Sequence, residues 1–178
     1  MRIGAGRFRN ALLPAVGDHV RPVGGRLRQS LFTVLLPWLE GARVLDCCAG
    51  VGGLGLEALS RGAADVVLVE RDRRTADALA RWIAERHVER EAHVVVADAR
   101  RGGFGDGFDL VFLDPPFAAW DDAALARDLV AVAVAATAPD GVVAAKVPTR
   151  APLPEDPRWR VTDRRGHGDA AWALIVRA

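Results

Sequence analysis

The feature that most constrains this chain is a glycine-rich turn set between a short β-type run and a helical one. Residues 43–46 (RVLD) read as a strand and residues 54–61 as a helix. Between them, Gly50, Gly52 and Gly55 satisfy a GxGxxG spacing. Glycines there let the backbone approach a ligand, and the helix N-terminus that follows presents free N–H groups. Strand, glycine loop and helix in that order predict one βα unit of an open α/β sheet.

The same alternation continues downstream. Strands are expected at 66–70 (VVLVE), 93–98 (HVVVAD), 108–114 (FDLVFLD) and 142–147, and helices at 72–86, capped by Asp72, and at 121–137. An earlier helix is expected over 26–39, where Leu27, Leu31, Leu35 and Leu39 recur at helical spacing. The last two runs, 158–162 and 171–176, have no helix between them and predict an antiparallel hairpin around Gly166–Gly168. The expected fold is α/β: a seven-stranded, mainly parallel sheet with one reversed edge strand, flanked by helices.

Composition narrows the class. With 178 residues, 51% hydrophobic and 26% charged, the chain suits one sizeable core and excludes disorder, collagen-like repeats and a disulfide scaffold. No apolar run approaches the ~20 residues that span a bilayer, and the N-terminus lacks a signal-type apolar segment, so a cytoplasmic protein is expected. Cys47 and Cys48 are adjacent and read as small buried residues rather than a disulfide. His19, His87, His93 and His167 show no ligand spacing, so no metal is expected.

The net charge of +1 hides an asymmetry. Residues 1–37 carry six arginines and one aspartate, whereas 38–178 are mildly acidic. The chain therefore divides into a basic N-terminal arm, 1–37, and a body, 38–178. Arg7, Arg9, Arg21, Arg26 and Arg28, interleaved with Phe8 and Phe32, suit RNA phosphates. Part of that arginine count also reflects a chain with 23 Arg and a single Lys, Lys146.

Ligands of open α/β sheets bind beyond the carboxyl ends of the strands, and four informative clusters fall there. The glycine loop is the first, with Cys47, Ala49, Gly50, Gly52 and Gly55 as candidate lining. Glu70, twenty residues after Gly50, fits a carboxylate that takes ribose hydroxyls, with Arg71 beside it. Asp46 stands where the pyrophosphate of NAD would sit and would repel it, whereas the amino group and sulfonium of S-adenosylmethionine would be attracted. A loop-bracing role is the alternative for Asp46. Asp98 and Ala99 end the third strand, where a carboxylate could accept from an adenine amine.

Asp114-Pro115-Pro116-Phe117 is the most specific cluster. The prolines remove two N–H donors and leave the Pro115 carbonyl available as an acceptor. Together with Asp114 it could hold both hydrogens of a planar amine, turning the nitrogen lone pair toward a methyl donor while Phe117 stacks on the ring. A rigid strand-ending turn is the plainer reading.

Arg21-Pro22 with Arg26, Arg28, Leu31 and Phe32, then LDCCAGVGGLGLEALSRGA (45–63), VLVERD (67–72) and DPPF (114–117), make the sequence similar to the RsmD-type methyltransferases. The resemblance implies a class I (Rossmann-like) fold. It also implies methyl transfer from S-adenosylmethionine, without a metal, to the N2 of a guanine in small-subunit (16S) ribosomal RNA. It places Asp46, Gly50, Gly52, Glu70 and Asp98 on the cofactor and Asp114–Phe117 on the guanine. Departures include Val51 for the usual serine, Val23, Gly24-Gly25 and Thr33 in the arm, and Lys146 where the family often has an acidic residue. Related DPPY or NPPY motifs also serve DNA adenine-N6 and protein glutamine methylation. The readings of a different class are an NAD-binding oxidoreductase, for which no proton-transfer residue stands out, and a non-catalytic RNA-binding module.

Overall fold

A computed structural model describes residues 1–15 and 25–178, with only the backbone described at 25, 26 and 167. Arg21 therefore lies outside the described residues, as does the side chain of Arg26. The elements run α1 (Gly25–Val34), β1 (Arg43–Asp46), α2 (Gly55–Ser60), β2 (Asp65–Glu70), α3 (Arg73–Ala84), β3 (Ala92–Val96), β4 (Phe108–Leu113), α4 (Ala123–Ala136), β5 (Thr137–Pro148), β6 (Trp159–His167) and β7 (Ala170–Arg177).

The seven strands form one sheet in the order β3-β2-β1-β4-β5-β7-β6. β1 to β5 are parallel, and β7 runs antiparallel to both β5 and β6. The expected α/β architecture is present, with one difference. The reversed strand is β7, one position in from the edge, and β6 lies outside it. Side chains explain the order: Ala171 to Ile175 are buried, whereas β6 exposes Val161, Thr162, Arg164 and Arg165. The more apolar strand takes the interior place, and the charged one guards the edge.

Helix α1 stops earlier than its leucine spacing suggests. Pro37 can supply no N–H to an α-helical turn and disfavours helical geometry before it, so Leu36–Trp38 form a 3-10 turn instead. Asp72 caps α3 as expected, its carboxylate accepting from the Thr75 N–H at 2.8 Å, and Asp122 does the same for α4.

Strand periodicity sorts the core. Val44, Leu110, Phe112, Val142 and Ala144 face one side with α1, α2 and α3, while Leu45, Val111, Leu113, Val143 and Ala145 face α4. Phe32 of α1 is fully buried and leans on Phe112 with ring centroids 5.7 Å apart. Burying such a ring contributes roughly 1.5–3 kcal/mol.

The described part of the arm is not a loose tail. Ile3, Leu13, Leu27, Leu31 and Leu35 belong to the same core as the body. Buried Glu57 of α2 accepts from the Gly4 N–H at 2.7 Å and the Ala5 N–H at 3.2 Å, and Trp82 Nε1 donates to the Leu12 carbonyl at 2.7 Å. Gly6 turns at φ +81, where a Cβ would sit 1.6 Å from the Ser60 carbonyl oxygen. Residues 1–13 thus run down α2 and back. The N–H of Arg7 donates to Ser60 O, and its guanidinium pairs with Glu91, at the amino-terminal end of the strands.

Candidate active site

The strand order reverses between β1 and β4, and the crevice beyond their carboxyl ends is the ligand site of open α/β sheets. Strand parity puts the charged residues at those ends on one face. Asp46 continues from Val44, Glu70 from Leu68, Asp114 from Phe112 and Lys146 from Ala144, all toward α1–α3. The clusters at the ends of β1, β2 and β4 are therefore gathered around one crevice, with Asp98 at the end of neighbouring β3.

Asp46 is 1% exposed. Its Oδ2 accepts from the Gly55 N–H at 2.9 Å, while Oδ1 has no hydrogen-bond partner among the described residues. Burial pushes its carboxyl up to about 7, opposed by the Gly55 N–H and more weakly by the Cys48 N–H, and reinforced by the charges of Asp114 and then Glu70. One oxygen braces the loop, as the plainer reading has it, and the other is a buried acceptor awaiting a donor.

The loop is held open by backbone geometry. Gly50 and Gly52 have φ of 52° and 79°, and a Cβ on Gly52 would lie 2.6 Å from Leu56 Cδ1 and 2.8 Å from Leu79 Cδ2. The Ala49 N–H donates to Val69 O, and the Gly50 N–H donates to Glu70 Oε2 at 2.9 Å. Glu70 Oε1 accepts from the Asp72 N–H at 2.8 Å. This carboxylate fixes the loop and keeps lone pairs for further donors. Burial pushes both thiols, Cys47 and Cys48, well above the ordinary range, so they stay neutral.

At the β3 end, Asp98 caps the turn Ala99–Arg101 and is gripped by Arg100, whose Nε lies 3.0 Å from both carboxylate oxygens. The Arg100 hydrogen bonds hold its carboxyl down to about 2, with Arg71 adding positive charge. An adenine amine meeting Asp98 would share it with Arg100.

Asp114, whose side chain is 15% exposed, accepts from Lys146 Nζ at 2.9 Å and 3.2 Å. The same Nζ lies 5.4 Å from the centroid of the Phe117 ring, which is 38% exposed at the mouth of the crevice. Pro115 is buried, and the Pro116 carbonyl accepts from the Ala119 N–H, starting the turn Phe117–Trp120. Burial raises the Asp114 carboxyl and Lys146 lowers it.

Among the described residues, the exposed arm arginines Arg7 and Arg9 lie away from this crevice. Arg7 is at the opposite end of the sheet, and Arg9 is exposed beside it in the same hairpin. Arg28 is buried rather than presented on a surface: Nη2 donates to the Arg2 carbonyl at 2.8 Å. Sequence reasoning missed the Lys146–Asp114 pair, whose signal was parity, since Leu113 pairs with Ala145 and the next residues are these two.

The profile of the family described as Conserved hypothetical protein 95 matches residues 1–176. The chain belongs to this family. The chain is 40% identical over 120 residues to Ribosomal RNA small subunit methyltransferase D of Escherichia coli K12, covering 66% of this chain and 60% of that protein. It is 36% identical over 123 residues to the protein of the same name in Haemophilus influenzae, covering 66% and 64%. These matches thus span under two thirds of either relative's length. Among solved structures, the yhhF protein of Escherichia coli superposes with a TM-score of 0.85 at 32% identity, covering 99% of this chain and 97% of that one. The RsmD-type resemblance and the class I fold it implied both hold.

Proposed function

We propose that the protein is an S-adenosylmethionine-dependent methyltransferase acting on the exocyclic N2 amine of a guanine in small-subunit (16S) ribosomal RNA. The observation that carries the reading is the placement of Asp114 and the Pro115-Pro116 turn beside the glycine loop, on the strand next to Asp46. The named activity of the Escherichia coli and Haemophilus influenzae relatives supports the substrate class.

The residues present fit the cofactor. Asp46 Oδ1 is a buried, unpaired acceptor suited to an ammonium, and the positive-φ glycines leave the backbone bare at the loop. Bound there, S-adenosylmethionine supplies an electrophilic methyl on a sulfonium. Asp114 and the Pro115 carbonyl accept the two amine hydrogens, and Phe117 stacks on the flipped base. Catalysis then rests on alignment and on stabilising the charge that develops on nitrogen. A tritiated-methyl assay on 16S RNA and on 30S particles, with the product nucleoside identified, tests the reading. Label recovered as N2-methylguanosine supports it, and label on adenine N6 replaces it with the adenine alternative.

Asp46 makes cofactor affinity pH-dependent. Its carboxyl titrates near 7 in the free protein, and an ammonium pairs only with the ionised form, so binding expels a proton at lower pH. Affinity for S-adenosylhomocysteine should climb about tenfold between about pH 6 and pH 8, while Asp46→Asn should bind weakly with no such slope. Calorimetry in buffers of different ionisation enthalpy reads the proton release directly.

The arm contributes to RNA binding in this reading through Arg9 and, once released from Glu91, Arg7. Replacing both by alanine should lower the log–log salt slope of RNA binding by about 0.7–0.9 per lost phosphate contact. An unchanged slope removes that end of the molecule from the interface.

A further inference from the structure

Two buried side chains of opposite charge border the glycine loop, and each has an unpaired polar atom. Asp46 Oδ1 is one, and Arg28 Nη1 is the other. Arg28 is 8% exposed, and among the described residues its Nη1 has no hydrogen-bond partner. A Cβ built on Gly53 would lie 4.0 Å from that Nη1, so the guanidinium abuts the loop itself. Met1 closes over the same spot, its Cε 2.6 Å from the same position.

A buried guanidinium N–H without an acceptor is costly, and an anion is what relieves it. The surroundings select the kind of anion. Arg28 is buried beside the loop rather than presented on a surface that a polymer backbone could lie along, and the same loop is braced by the Asp46 carboxylate, which disfavours a phosphate there. A small zwitterion, whose ammonium meets the carboxylate and whose carboxylate meets the guanidinium, satisfies both groups at once. With a ribose at Glu70 on β2, the amino-acid end of the cofactor would reach toward neighbouring β1, where Asp46 lies, and the loop that Arg28 abuts.

We infer that Arg28 is the clamp for the α-carboxylate of S-adenosylmethionine, acting with Asp46, which takes the α-ammonium. Arg28 then belongs to the cofactor site and not to the RNA-binding arm. The inference rests on the methyltransferase reading, and a series of three ligands separates the failure of one from the failure of the other. These are S-adenosylhomocysteine, its decarboxylated analogue, which keeps the amine, and 5′-methylthioadenosine, which lacks the whole amino-acid end.

Calorimetry on the wild-type chain should show the decarboxylated analogue binding about tenfold or more weakly than S-adenosylhomocysteine, the scale of a charge-assisted bidentate pair. In Arg28→Gln that ratio should fall to within about twofold, while 5′-methylthioadenosine binds as to the wild type. Equal affinity of the wild type for the first two ligands overturns the inference, as does a wild-type ratio preserved in Arg28→Gln. Parallel loss of all three ligands in a folded Arg28→Gln also overturns it, because Arg28 would then only hold the loop. Should Arg28→Gln not fold, Arg28→Lys keeps the charge without the fork and should give an intermediate ratio, with an unchanged ratio counting against the clamp. A wild type that binds none of the three refutes the cofactor reading itself, and the clamp with it.

Discussion

Asp114→Ala is expected to cut methyl transfer by about 10²–10³-fold or more, the scale of removing one preorganised polar group from a reacting centre, while S-adenosylhomocysteine affinity stays within a few-fold. The alanine leaves nothing to accept the amine hydrogens or to orient the lone pair. It also strands the Lys146 ammonium, which Asp114 holds at 2.9 Å and 3.2 Å. Breaking a fully buried pair from one side costs roughly 3–5 kcal/mol, and less where, as here, 15% of each side chain remains exposed. The single variant should therefore melt earlier than the wild type. Asp114→Ala combined with Lys146→Met should recover most of that stability and none of the activity. Thermal unfolding and single-turnover methylation on the same samples separate the two effects. If activity returned with stability, Asp114 would be a structural residue.

The parts of the fold that were legible in the sequence are those set by local chemistry. Short β-rich runs bounded by turn residues marked the seven strands, Asp72 marked a helix cap, and the glycine spacing marked the loop. Pro37 could have shortened the first helix on the same grounds, since its effect is local. The order of β6 and β7 depended on which strand was the more apolar, a comparison between segments and not a pattern within one.

The site was legible where it lies at strand ends and obscure where it depends on pairing. Asp46, Glu70 and Asp114 could be placed at the crevice from their positions alone. Which of their oxygens are already engaged could not, because Gly55, Gly50 and Lys146 come from other elements. Arginine count alone does not say which charges of the arm a polyanion can reach. Charge density marks a polyanion surface only when the charges are exposed, and Arg28 is buried while Arg7 is paired at the far end of the sheet.

Lys146→Met is the second change with a large expected effect, and its signature is a displaced pH profile. Asp114 must be ionised to pair with Lys146 while accepting an amine hydrogen, and burial pushes its carboxyl above the usual range. Three groups face it electrostatically: Lys146 from β5 lowers its carboxyl, whereas the carboxylate of Asp46 from β1 opposes its ionisation, as would the Cys48 thiol if it ionised. Removing Lys146 takes away the one group among the described residues that favours the charge, so the carboxyl must rise further. The acid limb of kcat/KM should then move to higher pH by about 1–3 units, the range for losing an opposite charge at contact distance. At neutral pH the variant should be markedly slower than the wild type, and the gap should narrow as the pH rises. Lys146→Arg, which keeps the charge, should leave the limb close to its wild-type position. A uniform loss at every pH in Lys146→Met, with the limb unmoved, would instead place the lysine's contribution at the Phe117 ring that it overlies.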